Sequence, residues 1–133
     1  MNQELLEERV ERLEYYINLL RNCTFVIESD NLERFMLWDW VMSHRLNRQE
    51  VDSILDYVKS IAKQMKESDH EDDYPTVEQF ATTIKSMVYQ ELRDDQKIIV
   101  DRGFFMGLFH GLLRIGKYKF EKLVTYYSSL KDM

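Results

Sequence analysis

The chain has 133 residues, 44% of them hydrophobic and 32% charged, with a formal net charge of −6. That length admits one domain with a real core and is too short for two ordinary ones, and the apolar fraction excludes a disordered polypeptide. The acidic balance argues against a nucleic-acid binder, and a single cysteine, Cys23, excludes an intrachain disulfide and fits a reducing cytoplasm.

One proline and four glycines leave few places to turn, so a few long helices are expected rather than many strands. The first helix is placed at about residues 3–23. Its start is acidic and periodic, unlike the basic and then apolar start of a secretory signal. Leu6, Val10, Leu13, Ile17 and Leu20 follow alternating spacings of four and three, the signature of a heptad seam. With Val10 and Ile17 at a, the leucines fall at d, Arg9 at g and Glu14 at the following e. Opposite charges there can pair between neighbouring helices. The seam is short for a free-standing coiled coil, and packing within the same domain is the alternative.

Residues 24–27 are β-branched or aromatic and read as a frayed helix end or an extended link. Asp30 with Glu33 forms a capping pattern for a second helix carrying Trp38 and Trp40, which lie on opposite sides and divide between core and rim. Asn47 with Glu50 caps a third helix, whose inward face is Val51, Ile54, Leu55, Val58, Ile61, Ala62 and Met65. Residues 67–74 are acidic and aperiodic and read as the loop of the chain. After Pro75, Thr76 with Gln79 caps a fourth helix, with Val77, Phe80, Ala81, Ile84 and Val88 inward.

Asp94 and Asp95 punctuate the chain before residues 100–116, which hold every glycine: Gly103, Gly107, Gly111 and Gly116. The first three recur every four residues and make one slowly drifting stripe on a helix. A glycine inside a helix costs about 0.5–1 kcal/mol relative to alanine, so the stripe implies close approach of a neighbour. The segment is apolar nearly all round and is expected to be a central, buried helix. Its uncharged stretch, 103–113, is too short to span a bilayer. Gly116 is placed as the C′ residue, with a last helix over about 117–130. The expectation is an all-α fold over 1–133: one multihelical domain of five or six helices around the glycine-striped helix, with no strand and no repeat.

Charge is unevenly spread. Residues 97–131 carry seven Lys/Arg against Asp101 and Glu121, a local +5 in a chain of −6. The basic cluster Arg114, Lys117, Lys119 and Lys122 is expected to meet the chain's own acidic 67–73 stretch rather than nucleic acid.

Chemical motifs are sparse. Glu67 and His70 have the i, i+3 spacing of a di-iron half-site, but neither His44 nor His110 supplies the second half. Asp69, Glu71, Asp72 and Asp73 lack the glycine and the spaced ligands of a calcium loop and read as a solvated charge run. Glu91 and Asp94 match half of the carboxylate pattern of helical nucleotide pyrophosphatases, without its Glu-x-x-Glu partner upstream. Cys23 has no histidine assigned to it and reads as a small buried thiol. His110, beside Gly107 and Gly111, is read as a core histidine, with a pocket left by the missing side chains as the alternative. No metal, cofactor or catalytic residue is assigned.

Three stretches, RVERLEYYINLL at 9–20, TVEQFATTI at 76–84 and LLRIGKY at 112–118, together resemble the YhaI family, small cytosolic proteins of Bacillus-type bacteria with no assigned function. Within the first, RVERLE also resembles the short Arg-h-x-x-h-Glu pattern of three-stranded coiled coils. The resemblance implies a helical subunit of an intertwined homo-oligomer, with a trimer favoured, and implies no activity. The functional expectation is a cytoplasmic, non-enzymatic, self-associating adaptor or regulator with no membrane partner. The alternative is a small-ligand-binding protein or enzyme using a pocket beside Gly107, Gly111 and His110.

Overall fold

The computed structural model describes residues 2–24 and 29–132, with side chains described for 2–21 and 35–132. The Cys23 side chain, the link at 25–27 and the Asp30/Glu33 cap lie outside them. Among the described residues there are five α-helices: α1 (Leu6–Thr24), α2 (Ser29–Ser43), α3 (Arg48–Glu67), α4 (Val77–Met87) and α5 (Arg102–Tyr126). None is long and apolar enough to cross a membrane.

The mainly helical expectation holds, but the absence of strands does not. Three short strands form one sheet in the order β1 (Asn2–Gln3), β2 (Glu91–Arg93), β3 (Gln96–Lys97). β1 lies parallel to β2, with Asn2 opposite Glu91, and β2 is antiparallel to β3. Residues 2–3 are therefore extended, and the first helix starts at Leu6. Asp94 and Asp95 both take positive φ, 54° and 62°, and make the two-residue type I′ turn of a hairpin. Aspartate tolerates that conformation better than most residues. Strands of two and three residues show no period-2 pattern, so nothing in the local sequence separated them from a loop.

The capping boxes at Asn47/Glu50 and Thr76/Gln79 form in full. α2 ends without a glycine. Arg45 adopts φ 56° while Leu46 N–H donates to Val41 O at 3.0 Å and Arg45 N–H to Met42 O at 3.2 Å, a Schellman closure that buries Leu46.

α5 packs along α2 and also against α3, and Phe80 of α4 meets Phe105 and Phe109 of α5. Phe104, Phe105, Leu108, Phe109 and Leu112 are fully buried there. Phe80 of α4 stacks on Tyr127, ring centroids 4.1 Å apart, and Tyr127 donates its hydroxyl to Pro75 O at 2.8 Å. Trp40 is core and Trp38 half-buried. Gly116 does interrupt α5, but its φ of −166° and ψ of 69° are extended, not the left-handed cap expected of a C′ glycine. The expected break therefore falls at Gly116: two helical stretches meet there at a kink, the second runs to Tyr126, and a 3₁₀ turn, Ser128–Lys131, follows.

Candidate functional site

α1 presents two different faces. Arg12, Tyr16 and Leu19, at i, i+4 and i+7, are buried and form its inward stripe. The heptad seam lies roughly 100–120° round the helix from that stripe. It points to solvent: Leu6 is 77% exposed, Val10 46%, Leu13 44%, Ile17 55% and Leu20 41%. Arg9, expected to reach a neighbouring helix, instead pairs within the chain with Asp94 at 3.1 Å.

The inward stripe is held by a buried ionic network. Arg12 Nε donates to Glu4 Oε2 at 3.0 Å and Arg12 Nη2 to Glu4 Oε1 at 3.1 Å, a two-pronged pair between the N-terminal arm and α1. Arg12 Nη1 reaches the Tyr16 hydroxyl at 3.3 Å, and that hydroxyl donates to Leu46 O at 2.7 Å. Arg93, on β2, is fully buried. Its Nη1 donates to Arg45 O at 2.7 Å and also bonds Glu50, its Nη2 meets Glu91 at 2.7 Å, and its Nε lies 3.4 Å from Glu4. Glu50 Oε2 accepts the Tyr89 N–H at 2.6 Å, while Oε1 accepts the Asn47 N–H at 2.8 Å. The capping glutamate of α3 is thus also the counter-ion of a buried arginine.

Two buried cations and two buried anions, Arg12, Arg93, Glu4 and Glu50, balance one another, and no buried side-chain N or O among the described residues lacks a partner. That completeness is what such a cluster requires, because a charge removed from water is tolerated only when paired and fully hydrogen-bonded. Burial disfavours both arginine cations, yet hydrogen bonds from Arg12 to Glu4 and Tyr16, and from Arg93 to Glu50, outweigh it and hold both pKa values above normal. Burial also pushes the Tyr15 phenol up to about 12, with the Asp52 carboxylate adding to the shift. Of this network the sequence reading found only the Glu50 cap. The available signal was Arg12, a cation in line with apolar positions on α1.

The glycine stripe divides into two kinds of position. A Cβ on Gly107 would lie 2.7 Å from Trp40 Cδ1, and one on Gly111 would lie 2.8 Å from Leu37 Cδ1 and 2.9 Å from Leu37 Cα. At Gly103 the nearest atom would be Asp101 Oδ1 at an ordinary 3.5 Å, so no neighbouring helix closes on that position. The space beside Gly107 and Gly111 is filled by α2, and His110 is exposed. The reading of His110 as a core histidine is corrected, since its side chain is exposed.

The remaining sequence candidates are not assembled. Glu67 ends α3 and His70 is exposed, and the described residues hold no cluster of three or more His, Cys, Asp or Glu able to bind a metal. Glu91 lies on a strand and pairs with Arg93, while Asp94 faces Arg9, Arg12 and Arg45. Both carboxylates are therefore taken up by arginines, unlike those of a metal-holding helix pair. The expected meeting of basic cluster and acidic loop occurs at Lys122, which donates to Asp69 at 3.1 Å, Met65 O at 2.8 Å and Tyr74 at 3.2 Å.

No curated protein and no solved structure matches the chain. The family described as a protein of unknown function, DUF1878, matches residues 1–117, which takes in α1, the ionic network and the glycine stripe. The chain belongs to the DUF1878 family.

Proposed function

We propose that the chain is a self-associating helical adaptor or regulator of the bacterial cytoplasm, with α1 as the interface of a homotrimer. The observation that carries this reading is the apolar seam Leu6, Val10, Leu13 and Ile17, exposed on α1, whose inward face is already occupied by the ionic network. Knobs spaced by alternating threes and fours mesh with a helix of the same repeat, and every further copy of the chain supplies that helix. Burying an aliphatic side chain of this size contributes about 1.5–3 kcal/mol. The RVERLE pattern at 9–14 and the YhaI-like stretches support three strands rather than two. Arg9 is tied to Asp94, so the apolar seam and not an Arg9–Glu14 pair supplies the association energy.

Light scattering on the wild type at micromolar concentration tests the proposal directly. A trimer mass is expected, falling to the monomer in Leu13→Asp with helical circular dichroism retained. A monomeric wild type refutes it.

A further inference from the structure

We infer that the groove between α3 and the C-terminal half of α5 is a binding site for a compact organophosphate. The groove, of about 370 Å³, is lined by Lys59, Ser60, Ala62, Lys63, Lys66 and Lys119. Its volume falls in the size class of small-molecule sites. Lys59, Lys63 and Lys66 share one side of α3 at i, i+4 and i+7, and Lys119 closes the groove from α5. Four lysines from two elements thus border one groove in a chain whose net charge is −6.

Among the described residues, Lys122 is the lysine that holds a carboxylate, and none of these four does. Lys119 lies over the Phe120 ring, its Nζ 5.5 Å from the centroid, which orients the cation without neutralising it. The lining is mostly carbon, supplied by buried Ala62 and by lysine methylenes whose charged ends reach outward. An apolar floor under a ring of unneutralised cations suits a ligand with several negative charges and a small apolar body. Asp52 and Asp56 precede the lysines on α3, and Glu67, Asp69, Glu71, Asp72 and Asp73 follow them. Carboxylates at both ends repel an extended polyanion and leave room for a short one. The site is on different elements from the α1 seam and does not depend on self-association.

Calorimetric titration with ATP, tripolyphosphate and a short DNA duplex, without added metal, tests the assignment. Saturable binding of one ATP per chain is expected, tighter than tripolyphosphate. It should weaken by about tenfold or more in the Lys63→Gln/Lys119→Gln variant and in Lys59→Gln/Lys66→Gln, since each lost charge-assisted contact removes about a decade. Arg114→Gln, outside the groove, should leave it unchanged. All four lysines are exposed, so the variants should keep the wild-type melting temperature. No binding of ATP at about 1 mM, equal affinity for tripolyphosphate, tighter binding of the duplex, or an equal loss in Arg114→Gln would each overturn the proposal.

Discussion

Gly111→Ala adds one methyl group where α5 lies against the backbone of α2. Its Cβ would stand 2.8 Å from Leu37 Cδ1 and 2.9 Å from Leu37 Cα. The methyl end of Leu37 can rotate aside; the backbone of α2 cannot, and it can only move as a helix. Overpacking of this kind costs about 1–3 kcal/mol, against about 1 kcal/mol gained when alanine replaces glycine within a helix. Because the obstacle is backbone, the upper part of the range applies, and Gly111→Ala should be destabilised by about 1–2 kcal/mol net. Gly107→Ala meets Trp40 Cδ1 at 2.7 Å on a ring whose Nε1–H is tied to Phe104 O at 2.9 Å, so it should also be destabilised. Gly103→Ala, with nothing closer than 3.5 Å, should be neutral or stabilised by less than about 1 kcal/mol. Equilibrium denaturation of the three variants at matched protein concentration reads the signs. A stabilised Gly111→Ala, or a Gly103→Ala weaker than both others, would refute the packing argument.

Removing Arg93 leaves Glu50 buried without its counter-ion, while Glu4 keeps Arg12, so Arg93→Ala should lose roughly 3–5 kcal/mol. Arg93→Lys should recover only part of that, because an ammonium cannot serve Glu50, Glu91 and the Arg45 carbonyl as a planar fork; wild-type stability in Arg93→Lys would sink the idea. Asn47→Ala removes the acceptor for Glu50 N–H, 2.8 Å away, and should cost about 1–2 kcal/mol by the same denaturation assay. The Tyr15 phenol, raised by burial from 10.0 to about 12, contributes stability that is complete below pH 10 and is lost as pH climbs through about 12. Alkaline unfolding of Tyr15→Phe should therefore begin at higher pH than that of wild type, and coincident curves would contradict the assignment.

Much of this fold was legible from local sequence because its causes are local. The caps at Asn47 and Thr76 depend on residues three apart, and the buried faces of α3 and α4 follow from a 3.6-residue period. The heptad spacing marked the apolar face of α1 without saying whether its own domain covers it. That question was settled by Arg12, Tyr16 and Leu19, which turn a different face inward. Tertiary structure alone decided the ionic network, since Arg93 meets Glu50 across 43 positions and Glu4 meets Arg93 only because β1 pairs with β2. It also separated Gly107 and Gly111, which carry the close approach of α2, from Gly103, which has the same spacing and no such neighbour. Glycine periodicity records which positions lack a side chain. Only the docking of a second helix, driven by apolar burial along the first half of α5, determines which of them need to.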